Sequence, residues 1–82
     1  MASDWLSEQQ YVDFRERDGG WQVGLVMIKT PDYIKVRCDG WSSRYDESLY
    51  HSEVGTGRNS RIQPFRSVVR GYTGMQKTPG LR

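Results

Sequence analysis

Cysteine is almost absent from this chain of 82 residues, with Cys38 as its single example. No intramolecular disulfide can form, which excludes a stapled secreted scaffold and leads us to expect a reducing, intracellular setting. Histidine is as scarce, and His51 stands alone. Structural zinc takes about four ligands at recognisable spacing. A nucleophilic site takes an activating base beside its nucleophile. Neither pattern is present, so no metal, cofactor or catalytic activity is expected. Gly55-Thr56-Gly57-Arg58-Asn59 lacks the Gly-Lys-Ser/Thr of a phosphate loop and reads as a connection. No apolar run approaches the ~20 residues of a membrane helix. The start, Met1-Ala2-Ser3-Asp4-Trp5, has neither a basic region nor an apolar stretch, so no signal peptide and no membrane partner are expected.

Aromatic residues, by contrast, are plentiful. Trp5, Tyr11, Phe14, Trp21, Tyr33, Trp41, Tyr45, Tyr50, Phe65 and Tyr72 offset a hydrophobic content of only 35% and set the chain apart from disordered sequences. The length permits one domain with a modest core. Charge is unevenly spread. Residues 1–57 carry all ten acids and six bases, net −4, whereas residues 58–82 carry six bases and no acid. The basic end reads either as a solvated tail or as a surface for phosphates or an acidic partner.

Alternation marks the strands. Tyr11 to Glu16 alternates, with Val12, Phe14 and Glu16 on one side. Arg17-Asp18-Gly19-Gly20 is a hairpin turn signal. Trp21 to Thr30 is the strongest strand, nearly continuous from Val23 to Ile28, and Gly24 suggests a bend or bulge within it. Thr30-Pro31-Asp32 turns the chain. Tyr33 to Asp39 places Ile34, Val36 and Cys38 on one face and Tyr33, Lys35 and Arg37 on the other. Gly40 to Ser43 is a turn, Arg44 to Tyr50 a fourth strand, and residues 51–60 a loop. A short closing strand, Arg61 to Phe65, is placed at an edge by Pro64. Ser3 to Gln10 reads as a lead-in that lays Trp5 and Leu6 on the domain. These signals predict an all-β chain, a small five-stranded curved antiparallel barrel, with residues 1–9 as lead-in, 10–69 as the domain and 70–82 as a basic, disordered tail.

Two segments carry a resemblance. Phe14 to Gly24, an acidic and glycine-rich turn followed by Trp21, is similar to the first hairpin of chromo-barrel and Tudor-knot domains. Val36-Arg37-Cys38-Asp39-Gly40-Trp41-Ser42-Ser43-Arg44-Tyr45-Asp46-Glu47 resembles the same families' Gly-Trp, three residues, aromatic-Asp-Glu pattern, and Arg61-Ile62-Gln63-Pro64 their closing stretch. The match covers roughly residues 10–65. It implies a Tudor-like module, and in the methyl-lysine-reading members an aromatic cage. Those cage positions fall on Trp21, Trp41 and Tyr45. A further one is occupied by Cys38 instead of an aromatic, another falls near Phe14 or Arg15, and Ser48 stands where an aromatic commonly follows Asp-Glu.

The chemistry suits such a cage. A methylated ammonium has lost N–H donors but keeps its charge, so π-faces attract it at roughly 0.5–2 kcal/mol each. Asp39, Asp46 and Glu47 would stand at the rim and steer a basic, histone-like peptide. The resemblance thus implies a monomeric, nuclear reader of methylated lysine or arginine. Nucleic-acid binding through Lys29, Lys35, Arg37, Arg58, Arg61, Arg66 and Arg70 is the second reading, and would make affinity steeply salt-dependent. A protein-docking barrel with a decayed cage is the third. Against all three stands plain packing. Aromatics carry most burial in a small domain. Phe14, Tyr33 and Phe65 are accordingly assigned to the core or its margins, His51 to a loop and Cys38 to a buried thiol.

Overall fold

Hydrophobic alternation sets the inner face of the sheet. In β1 (Tyr11–Arg15), Val12 and Phe14 point inward; in β3 (Tyr33–Cys38), so do Ile34, Val36 and Cys38. The computed structural model describes residues 3–74 and 76. Between these strands runs β2 (Trp21–Lys29), followed further on by β4 (Glu47–Tyr50) and β5 (Ile62–Pro64). All five are antiparallel in one curved sheet, ordered β4-β3-β2-β1-β5. The chain is therefore all-β, as the sequence predicts.

The curl expected of a small barrel is present, but β4 and β5 remain the two edges, with no ladder between them. β5 is three residues long and ends in Pro64, which has no N–H to donate. The segment before it is spent on a one-turn helix, α1 (His51–Val54), and a 3-10 turn over Gly57–Asn59, where the sequence suggested only loop. Side chains join the edges instead. Arg61 Nη2 donates to Glu47 Oε1 at 2.8 Å and Arg61 Nε to the Arg15 carbonyl at 3.0 Å. The Arg61 guanidinium also lies over the Phe14 ring, 5.2 Å from its centroid.

Inside the curl, Leu6, Val12, Phe14, Val26, Ile34, Val36, Cys38, Trp41, Leu49, Val54 and Ile62 form one core. Gly24 faces it without a bulge. A Cβ there would lie 2.9 Å from Val36 Cγ1 and 3.2 Å from Phe14 Cβ, so its role is close approach of backbone to side chain. The register shift falls later, between Val26 and Ile28, leaving Met27 as the extra residue. β4 begins at Glu47 instead of Arg44, because Ser43–Tyr45 winds into a 3-10 turn whose Arg44 N–H meets the Ser42 hydroxyl.

The lead-in is ordered by polar ties more than by helix. The Thr30 carbonyl can only accept, so His51 Nε2 donates to it at 2.7 Å. His51 Nδ1 then accepts from the Ser3 hydroxyl at 2.5 Å. Lys29 Nζ donates to the Ser3 and Leu6 carbonyls. Leu6 enters the core, whereas Trp5 remains 42% exposed.

The outer face is covered by a strap. Residues after β5 fold back over β1 and β2, where Asp13 and Val23, a cross-strand pair, are fully buried. The Asp13 carboxylate accepts the backbone N–H groups of Arg66 (3.1 Å), Val68 (2.6 Å) and Val69 (2.8 Å). Farther along, Tyr72 donates its hydroxyl to Asp39 Oδ2. The Gln76 amide pairs with the N–H and C=O of Val23 and with the Asp39 carbonyl. Tyr72 and Gln76 thus bond to the sheet within the stretch read as tail, while residues 77–82 lie outside the described residues. Among the described residues, no helix is long and apolar enough to cross a membrane.

Candidate functional site

The turn after β3 delivers two rings to one place. Trp41 N–H donates to the Cys38 carbonyl, closing a turn at Gly40, and the 3-10 turn brings Tyr45 round beside it. The Trp41 and Tyr45 rings meet edge to face, with centroids 6.0 Å apart and planes at 77°. This corner opens on a cleft of about 230 Å³, lined also by Glu16, Arg17, Asp18, Arg44, Asp46 and Glu47. Trp41 is only 6% exposed, so it offers the cleft an edge, and Tyr45 offers a half-buried face. Arg44 already uses that face, its guanidinium 5.1 Å from the Tyr45 centroid.

Four carboxylates line the cleft. Asp46 accepts both Arg37 Nε (2.8 Å) and Nη2 (3.0 Å) and lies 3.8 Å from Lys35 Nζ. Those hydrogen bonds hold the Arg37 guanidinium above its ordinary range, against the opposing effect of burial. Glu47 accepts from Arg61 and from the Arg17 backbone N–H at 2.9 Å. Both rim acids therefore tie neighbouring segments of the fold together. Glu16 and Asp18, on the β1–β2 turn, are the other two carboxylates of the cleft, and the sequence reading did not single them out. Their signal was present in the acidic hairpin Glu16-Arg17-Asp18-Gly19, which faces the Gly-Trp turn because β1, β2 and β3 are neighbours.

The other anticipated cage residues lie elsewhere. Phe14 is 0% exposed and Cys38 is 2% exposed, both in the core, since each shares strand parity with inward-facing neighbours. Neither presents a surface to a ligand. Trp21 sits opposite Arg15 on the outer face, in a separate recess lined by Gly57, Arg58, Gln63, Ser67 and Val68. The three-ring convergence is thus not assembled: Trp41 and Tyr45 come together and Trp21 does not. Asp39, the third rim acid, turns to Tyr72. Burial, then the bond and charge of Asp39, push the Tyr72 hydroxyl up to about 12.

Of the basic residues considered for phosphates, Lys35 and Arg37 do share the outer face of β3, yet both are drawn to Asp46. Arg61 is drawn to Glu47. Arg58 remains exposed at the Trp21 recess. His51 is bound through both ring nitrogens, and Cys38 is a buried free thiol. Among the described residues, no group of three or more His, Cys, Asp or Glu side chains could hold a metal ion. Comparison with protein-family models, curated proteins and solved structures finds no match to this chain.

Proposed function

We propose that this chain is a non-catalytic binding module whose Trp41–Tyr45 cleft takes a methylated lysine or arginine side chain from a basic peptide, in a histone or another nuclear protein. The observation that carries the reading is the edge-to-face ring corner opening on four carboxylates. A methylated cation finds π-attraction at the Tyr45 face, apolar contact with Trp41 and long-range attraction from the carboxylates that line the cleft. Ring contacts of roughly 0.5–2 kcal/mol each total at most about 4 kcal/mol for two, which before ordering costs corresponds to a Kd no tighter than about 1 mM. Such a module works within a larger assembly, where several weak contacts add. The chain acts as a monomer in this reading, since the cleft is built by one copy.

The test is a titration of the isotope-labelled chain with trimethyllysine, dimethylarginine and unmethylated peptides of one basic sequence. Methyl-dependent shifts at the Trp41 indole and at Tyr45, lost in Tyr45→Ala, are the expected result. Equal responses to methylated and unmethylated peptides, or none to either, would overturn the reading.

A further inference from the structure

The strap face of the sheet carries a different chemistry. Trp21 stands half-buried at one end of β1, across from Arg15, in a recess of about 390 Å³ lined by Gly57, Arg58, Gln63, Ser67 and Val68. No acid lines it. Toward the other end of β1, Tyr11 and Phe65 are 48% and 40% exposed with ring centroids 5.9 Å apart. The Arg66 guanidinium lies over Phe65, 5.1 Å from its centroid. Tyr11 and Arg15 are four residues apart along one strand, which sets the two aromatic stations about 13 Å apart.

The chain between and around the stations is basic. Arg58, Arg66 and Arg70 are exposed, and residues 58–82 contain no acid. Two carboxylates meet the strap: Asp13, fully buried, accepts three of its backbone N–H groups, and Asp39 accepts the Tyr72 hydroxyl. The Trp41–Tyr45 cleft, lined by four carboxylates, shares no lining residue with the Trp21 recess.

We infer that this face is a second binding site, for single-stranded nucleic acid. Bases stack at Trp21 and at the Tyr11–Phe65 pair, and Arg58, Arg66 and Arg70 meet phosphates. Every base offers a π-face, so spaced aromatics with interleaved cations suit a flexible single strand and impose little sequence preference. A duplex, whose bases are already stacked, has nothing to give the two stations. An acidic peptide would satisfy the arginines and leave the rings unused.

The experiment is fluorescence anisotropy of labelled oligo(U) and oligo(dT) with the full chain at low salt. A duplex of equal length and polyglutamate serve as competitors. Trp21→Ala is expected to weaken binding roughly five- to a hundredfold, and Trp21→Phe, which keeps a ring, to restore most of it. The exposed pair Arg58→Glu with Arg66→Glu is expected to abolish binding without loss of fold. Three phosphate contacts predict a log–log salt slope of about −2. Absence of binding at low salt would overturn the site. So would unchanged affinity in the variant carrying both arginine substitutions, or competition by duplex or polyglutamate as effective as by the unlabelled single strand. Methylated-peptide shifts at Trp41 are expected to be unchanged in Arg58→Glu, which separates this site from the cleft.

Discussion

Arg61 donates to Glu47 at 2.8 Å and thereby links the two edges of a sheet that no backbone ladder closes. Arg61 immediately precedes β5, and Glu47 opens β4. The pair is largely shielded, with side chains 21% and 12% exposed. The same guanidinium holds the Arg15 carbonyl and covers Phe14, so one side chain supports three strands.

Replacing Arg61 with methionine, which keeps the apolar stem, is expected to lower stability by about 1.5–3 kcal/mol, the range for hydrogen bonds to charged groups. Urea denaturation gives the value. In a cycle with Glu47→Gln the two changes are expected to be less than additive, because each removes the same contact. Full additivity would mean that the edges are held by something else.

Gly24→Ala inserts a methyl against Val36 and Phe14. Overpacking of this kind costs about 1–3 kcal/mol. Adding Val36→Ala opens space at the closest contact, so the double variant should lose less than the sum of the two single changes. A Gly24→Ala protein as stable as the parent would show that the core yields at this point.

Arg44 occupies the Tyr45 ring face that a ligand cation would need. Its removal frees that face from an internal competitor whose contact contributes about 0.5–1 kcal/mol at an exposed position. Arg44→Ala is therefore expected to raise the affinity for a trimethyllysine peptide about two- to fivefold in the same titration. A drop in affinity would assign Arg44 a supporting role instead.

Tyr72 titrates late. Its hydroxyl is pushed up to about 12, above the ordinary value of 10.0, by burial and by Asp39. The folded state therefore keeps a proton that the unfolded chain releases. This contribution to stability is complete below pH 10 and is lost as pH rises through about 12. Tyrosinate absorbance should show one late-ionising group, absent in Tyr72→Phe. The variant's stability should also fall less between these pH values. A titration curve identical to that of the parent would contradict the Tyr72–Asp39 contact.

β1 and β3 were legible because a period of two is written directly into Val12/Phe14 and Ile34/Val36/Cys38, and β2 because its apolar run from Val23 to Ile28 is nearly continuous. The same parity could have removed Phe14 and Cys38 from the cage, since a residue in step with core neighbours points into the core. The position of the bulge was not legible: glycine suggested residue 24, but the pairing of β2 with β3 placed it at Met27. Trp41 and Tyr45 were found because they are four residues apart on one turn, a local relationship. Trp21 was misplaced because its face depends on β1–β2 register. The strap was invisible, since Asp13 meets Val69 across 56 positions and neither residue carries a local signal of the other.

Asp13 also sets an order of events. It lies in β1, and its partners, Arg66, Val68 and Val69, come after β5 in the chain. Once synthesis has passed Pro64 all five strands of the sheet are present, yet the Asp13 carboxylate, beside Val23, still lacks its strap donors. Covering that polar group before its N–H donors arrive would leave it without hydrogen bonds, which disfavours premature closure. The sheet is thus counted complete by strands at Pro64 and by hydrogen bonds only after Val69. Vectorial synthesis delays the finished fold until the strap has emerged.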